Sequence, residues 1–66
     1  MIKLTRFNSD SNKQGEFILN AELIQTIEST PDTVITLVNE KKFIVEEAAE
    51  EVVRRVMKYR RALKQL

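Results

Sequence analysis

At residue 48 the apolar period of this chain changes from two to about 3.5, a change that dictates strands first and a single helix last. Residues 48–66 contain neither Gly nor Pro, so nothing in the side-chain chemistry interrupts a helix there. Ala49, Val52, Val56, Tyr59, Leu63 and Leu66 recur in alternating steps of three and four, and Val53 widens the stripe near its start. Glu46, Glu47, Glu50 and Glu51 gather at the beginning, and Arg54, Arg55, Lys58, Arg60, Arg61 and Lys64 follow. Acids at the start and bases at the end both suit the helix macrodipole. Glu50 with Arg54 and Glu51 with Arg55 have the favourable i, i+4 order.

Upstream, the pattern is that of strands. Ile2 and Leu4 alternate with Lys3 and Thr5, the signature of a half-buried first strand. Residues 8–15 hold no apolar side chain and read as a polar, flexible loop. A second strand spans residues 16–19, and Asn20 can cap one helical turn through Ala21, Glu22 and Leu23. Residues 24–29 and 33–38 are rich in Ile, Val and Thr and flank Thr30-Pro31-Asp32, whose Pro presets φ and whose Asp accepts from nearby backbone, so they form a hairpin. Residues 42–46 form a fifth strand, with Phe43 and Val45 facing one way and Ile44 the other.

The expected fold is α+β: a small, bent antiparallel sheet of about five strands followed by one long C-terminal helix. Residues 1–66 make a single domain, with 1–46 as the sheet body and 48–66 as the helix. Ile2, Leu4, Phe17, Leu19, Ile27, Val34, Thr36, Phe43, Val45, Val52 and Val56 are the expected core or its immediate neighbours.

Size makes such a core marginal, because a chain of about 60 residues buries only about 60% of the surface it exposes when unfolded. Without Cys or His it has neither disulfides nor the usual nitrogen and sulfur ligands of zinc. Self-association is the remaining way to stabilise it, and a homo-oligomer is expected. A helix of 19 residues is roughly 28 Å long, whereas a strand of five is roughly 16 Å, so the helix end carrying Leu63 and Leu66 should overhang. Docking on the domain's own sheet accounts for Val52, Val53 and Val56; Val56, Tyr59, Leu63 and Leu66 form the seam expected to meet another subunit or partner. No apolar run approaches the roughly 20 residues that span a bilayer, and the N-terminus has no signal-peptide pattern, so a cytoplasmic location is expected.

The residues argue against catalysis. No Ser lies beside a His, the single Gly cannot build a phosphate-cradling loop, and the Glu cluster is accounted for as a helix start. No cofactor and no metal are expected. The net charge of +1 conceals an asymmetry: residues 1–53 carry all 10 acids and five of the 11 bases, hence −5, and residues 54–66 carry +6. Arg54, Arg55, Lys58, Arg61 and Lys64, with Arg60 in the same run, are the candidate partner-binding face. A solvated helix end is the ordinary fate of such a run. The functional alternatives are an acidic protein surface, an anionic membrane leaflet or a nucleic acid. Only Tyr59 sits among the bases, so there is no stacking platform for single-stranded RNA. The helix also lacks the Trp- or Phe-bearing face of a membrane-lying segment, leaving room for peripheral contact at most. A protein partner is favoured.

The opening MIKLTR, residues 19–24 (LNAELI), Ile27-Glu28 and residues 31–37 (PDTVITL) resemble the FlbD (SwrD) family of small flagellar-operon, swarming motility proteins, and the likeness runs to about Tyr59. The chain departs from the family's usual pattern in two loops: residues 8–15 replace a tight Asn-Gly turn, and Asn39-Glu40 stands where a second Asn-Gly is usual. Asn39 visits the left-handed region readily, Glu40 less so. The resemblance implies a non-enzymatic, cytoplasmic factor needed for swarming that supports flagellar motor power by acting on the stator units. The opening hexapeptide, Gly15-Glu16 and the strands-then-helix order also look like the carbon-storage-regulator family of dimeric RNA-binding translational repressors, in which an Arg at the place of Arg6 grips RNA. That family's Ala-Pro and His-Arg-Glu-Glu segments are absent, and the acids Glu46 and Glu47 would repel phosphate. A purely structural oligomer is the third reading.

Overall fold

A computed structural model of the chain describes residues 1–7 and 15–64. The polar loop inferred for residues 8–15 lies outside these except for Gly15, as do the last two residues. The element order is β1 (Ile2–Thr5), β2 (Glu16–Leu19), a 3-10 turn (Ala21–Leu23), β3 (Ile24–Glu28), β4 (Thr33–Leu37), β5 (Lys42–Val45) and α1 (Ala49–Lys64). The strands are antiparallel throughout. They form two sheets, β1-β2 and β3-β4-β5, where the sequence suggested one. The sheets meet where Arg6, just beyond β1, bridges to Val45 at the end of β5. Phe7 N–H donates to the Ile44 carbonyl at 2.7 Å and Glu46 N–H to the Thr5 carbonyl at 2.8 Å, so the ladder continues around a bend.

Gly15 enables the approach that opens β2. Its carbonyl accepts from Arg6 N–H at 2.7 Å, and a Cβ on it would lie 2.7 Å from the Arg6 carbonyl oxygen. Asn20 caps the 3-10 turn as its side chain allows, Oδ1 accepting from Glu22 N–H at 3.0 Å, and Ala21 is buried beneath. The Thr30–Pro31 peptide in the β3–β4 connection is cis. In the β4–β5 hairpin, Glu40 N–H donates to the Leu37 carbonyl at 2.9 Å and Leu37 N–H to the Lys41 carbonyl at 2.8 Å. This is a three-residue loop whose last position is left-handed. Glu40 takes that position, with φ 73°, and Asn39 instead accepts from Lys41 N–H through Oδ1 at 3.1 Å.

The core comprises Ile2, Leu4, Leu19, Ala21, Ile35, Leu37, Val45 and Val52, with Phe17, Ile24, Ile27, Phe43, Val56 and Tyr59 packed around it. On β4 the parity is opposite to that read from sequence: Thr33, Ile35 and Leu37 are buried, while Val34 and Thr36 are half-buried on the other face. Register decides this, since a one-residue shift turns every side chain over. Ile35 lies opposite both Ile27 and Phe43, which face inward, so its own face is fixed from two sides. A shift in register between Ile24 and Thr26 inserts an extra residue into β3. Ile24 and Ile27, three apart, thereby both reach the core.

A candidate protein-interaction face on the helix

The helix packs chiefly along β1. Val52 is fully buried there, and Val56 and Tyr59 pack against the core one and two turns later. Val53 is on the other side, 47% exposed, and does not join the docking stripe. One residue's step on a helix turns its direction by roughly 100°, and the sheet body covers only one side. From Arg60 to Lys64 every residue is exposed, so the overhang begins after Tyr59.

Electrostatics fix the docked end. Arg55 donates through Nη1 to the Lys3 carbonyl at 2.6 Å and through Nε to Glu51 Oε2 at 2.7 Å, and its Nη1 lies 3.3 Å from Glu47 Oε2. The other oxygen of Glu47 accepts from Thr5 N–H at 2.9 Å. The side of β1 turned away from β2 therefore has its Lys3 carbonyl and Thr5 N–H satisfied by a helix arginine and the glutamate just before the helix. Partial burial raises the pKa of Glu47, but hydrogen bonds from Thr5 and its own backbone, with the nearby Arg55 charge, outweigh burial and leave it lowered. Hydrogen bonds from Arg55 and then Arg54 lower the pKa of Glu51, and the bond to Glu51 raises that of Arg55.

These contacts divide the predicted basic face. Arg55 is a clamp within the fold. Arg54 is exposed but forks onto Glu51, Nε to Oε1 at 3.0 Å and Nη2 to Oε2 at 2.8 Å. Glu47, Glu51, Arg54 and Arg55 thus form a neutral quartet; Glu50, placed by sequence opposite Arg54, is not the acid that Arg54 chooses. Among the described residues Lys58, Arg60, Arg61 and Lys64 have no carboxylate within ion-pair distance. Lys58 and Arg61 border a shallow concavity with Arg54 and Met57. Lys58 also borders a groove between the helix and the chain's start, lined by Met1, Ile2, Lys3, Tyr59 and Ala62.

The proposed seam is divided as well. Val56 and Tyr59 are used within the molecule, Leu63 is 46% exposed, and Leu66 lies outside the described residues. Met57 was not among the sequence-derived candidates, although it is 51% exposed one turn from Val53. Its position off the seam was the available signal, because an apolar residue outside the docking stripe has no partner in the domain. Arg6, the residue shared with the RNA-binding pattern, lies over Phe17 at 4.7 Å and Phe43 at 5.6 Å from the ring centroids, and those rings are 5.2 Å apart. It covers the join between β2 and β5 with a cation–π contact. Among the described residues no group of three His, Cys, Asp or Glu side chains could hold a metal ion, and no helix is long and apolar enough to cross a membrane.

Two small antiparallel sheets with a C-terminal helix clamped to the first strand define a small α+β protein. The family model for FlbD, flagellar and swarming motility proteins, matches residues 1–63, and the chain belongs to that family. No curated protein and no solved structure matches it. Its association with flagellar and swarming motility follows from the family; the match lends nothing to the carbon-storage-regulator resemblance.

Proposed function

We propose that this motility protein is a non-enzymatic cytoplasmic factor that supports flagellar motor power through protein–protein contact, with a stator or other motor component as its partner. The observation that carries the contact is the tip of α1, where Lys58, Arg60, Arg61 and Lys64 project without internal acid partners among the described residues. Charges left unneutralised on the overhang, and on Lys58 just before it, attract an acidic surface and set its orientation. Arg54 joins this face as a shared charge, whereas Arg55 acts by holding the helix in place. Self-association through Leu63, at the exposed end of the seam, belongs to the same reading.

Deletion of the gene in a motile strain tests the function. Swarming should be lost and single-motor torque should fall, with both restored by the intact gene; normal torque in the deletion strain would reject the motor reading.

A further inference from the structure

Val53 and Met57 stand one turn apart on α1, roughly 100° and 140° around the helix from the buried Val52. Arg60 and Lys64 follow them at i+7 on the same face, and Arg54, Lys58 and Arg61 run along one flank. The face therefore carries the apolar pair Val53 and Met57, with Glu50 at its edge, beside the domain and turns basic toward the tip. A concavity bounded by Arg54, Met57, Lys58 and Arg61 opens into it.

We propose that this face docks an acidic amphipathic helix of a protein partner, with apolar side chains of that helix against Val53 and Met57 and its carboxylates facing Lys58, Arg60, Arg61 and Lys64. The proposal rests on the protein-contact reading above and specifies the partner's chemistry. Charge complementarity selects the occupant: among the described residues no carboxylate lies within ion-pair distance of Lys58, Arg60, Arg61 or Lys64, so these cations are left for carboxylates of a partner. The apolar pair sets the form of that partner, since side chains at i and i+4 are matched by apolar residues of similar spacing on a facing helix. A lipid surface fits less well. It asks for an apolar face continuing along the helix with aromatic anchors, whereas here the same face turns basic after Met57.

The test places a photo-crosslinking amino acid, benzoylphenylalanine, at position 57 of the full chain in motile cells and identifies the crosslinked peptide by mass spectrometry. The expected product is a net-acidic segment with helical apolar spacing, and K58E/R61E should cut its yield more than tenfold while leaving the thermal melt unchanged. Crosslinking to lipid or nucleic acid, or to a neutral or basic segment, would overturn the inference, as would a yield indifferent to K58E/R61E or no product at all. Swarming measured in the same strains separates the two levels. If K58E/R61E abolishes swarming but no acidic helix is captured, the docking proposal fails alone; if swarming is untouched, the basic tip is not the working contact.

Discussion

The Arg55 guanidinium donates to the Lys3 carbonyl at 2.6 Å, joining residues 52 apart in sequence and tying the helix to the first strand. The same guanidinium meets Glu47 and Glu51, so one side chain satisfies a strand carbonyl and two carboxylates. Replacing Arg55 with Met keeps much of its apolar stem and removes these bonds. The expected loss is about 1–2 kcal/mol, because the group is partly exposed and charged hydrogen bonds are discounted by solvent. Lys58→Met, one turn on, should change stability by less than about 0.5 kcal/mol. Urea denaturation midpoints of the two variants check the contrast.

Acid should loosen the same joint. Glu47 has a folded pKa below its usual 4.5, so the unfolded chain takes up its proton first as pH falls. Its contribution is complete above pH 4.5 and is lost as pH drops through the lower folded value; Glu51, shifted in the same direction, adds to the effect. Melting temperatures followed down the acid limb should fall in the wild type and fall less steeply in Glu47→Gln. Parallel curves would assign the acid sensitivity elsewhere.

The hairpin between β4 and β5 holds Glu40 at φ 73°, a left-handed conformation that disfavours a Cβ. Glu40→Gly relieves the clash, partly offset by the greater freedom of Gly in the unfolded chain, and should stabilise the protein by about 0.5–1 kcal/mol. Asn39→Gly should not stabilise, because Asn39 lacks positive φ and its side chain accepts from Lys41 N–H. A thermal melt of each variant distinguishes them.

Much of this architecture was legible in the residues. The five strands, the Asn20-capped turn and the terminal helix follow from period, turn chemistry and the absence of helix breakers. The inward parity of β4 was not, because Thr33, Ile35 and Leu37 alternate with Val34 and Thr36, and β-branched residues occupy both faces. Partner strands settled it, and their register is a long-range property. The division of the basic run was hidden for a related reason. Local spacing paired Glu51 with Arg55, but the recruitment of Arg55 by the Lys3 carbonyl depends on where β1 lies in space. Ile35 and Leu37, both larger than Val34 and Thr36, were the local hint of the true inward face.

Leu63 gives the self-association proposal its measurable form. It is 46% exposed on the overhanging part of the helix, so Leu63→Lys should leave the fold intact and shift the solution mass toward a single 7.7 kDa chain. Light scattering over a dilution series reports the mass. A wild-type chain that is monomeric at every concentration would remove the oligomer from the account.

The most direct measurement of the central claim is single-motor torque in cells carrying the quadruple reversal of Lys58, Arg60, Arg61 and Lys64 to Glu, with circular dichroism establishing that the variant is folded. The account predicts torque and swarming at the level of the deletion strain. Wild-type torque in a folded, normally expressed quadruple variant would contradict it.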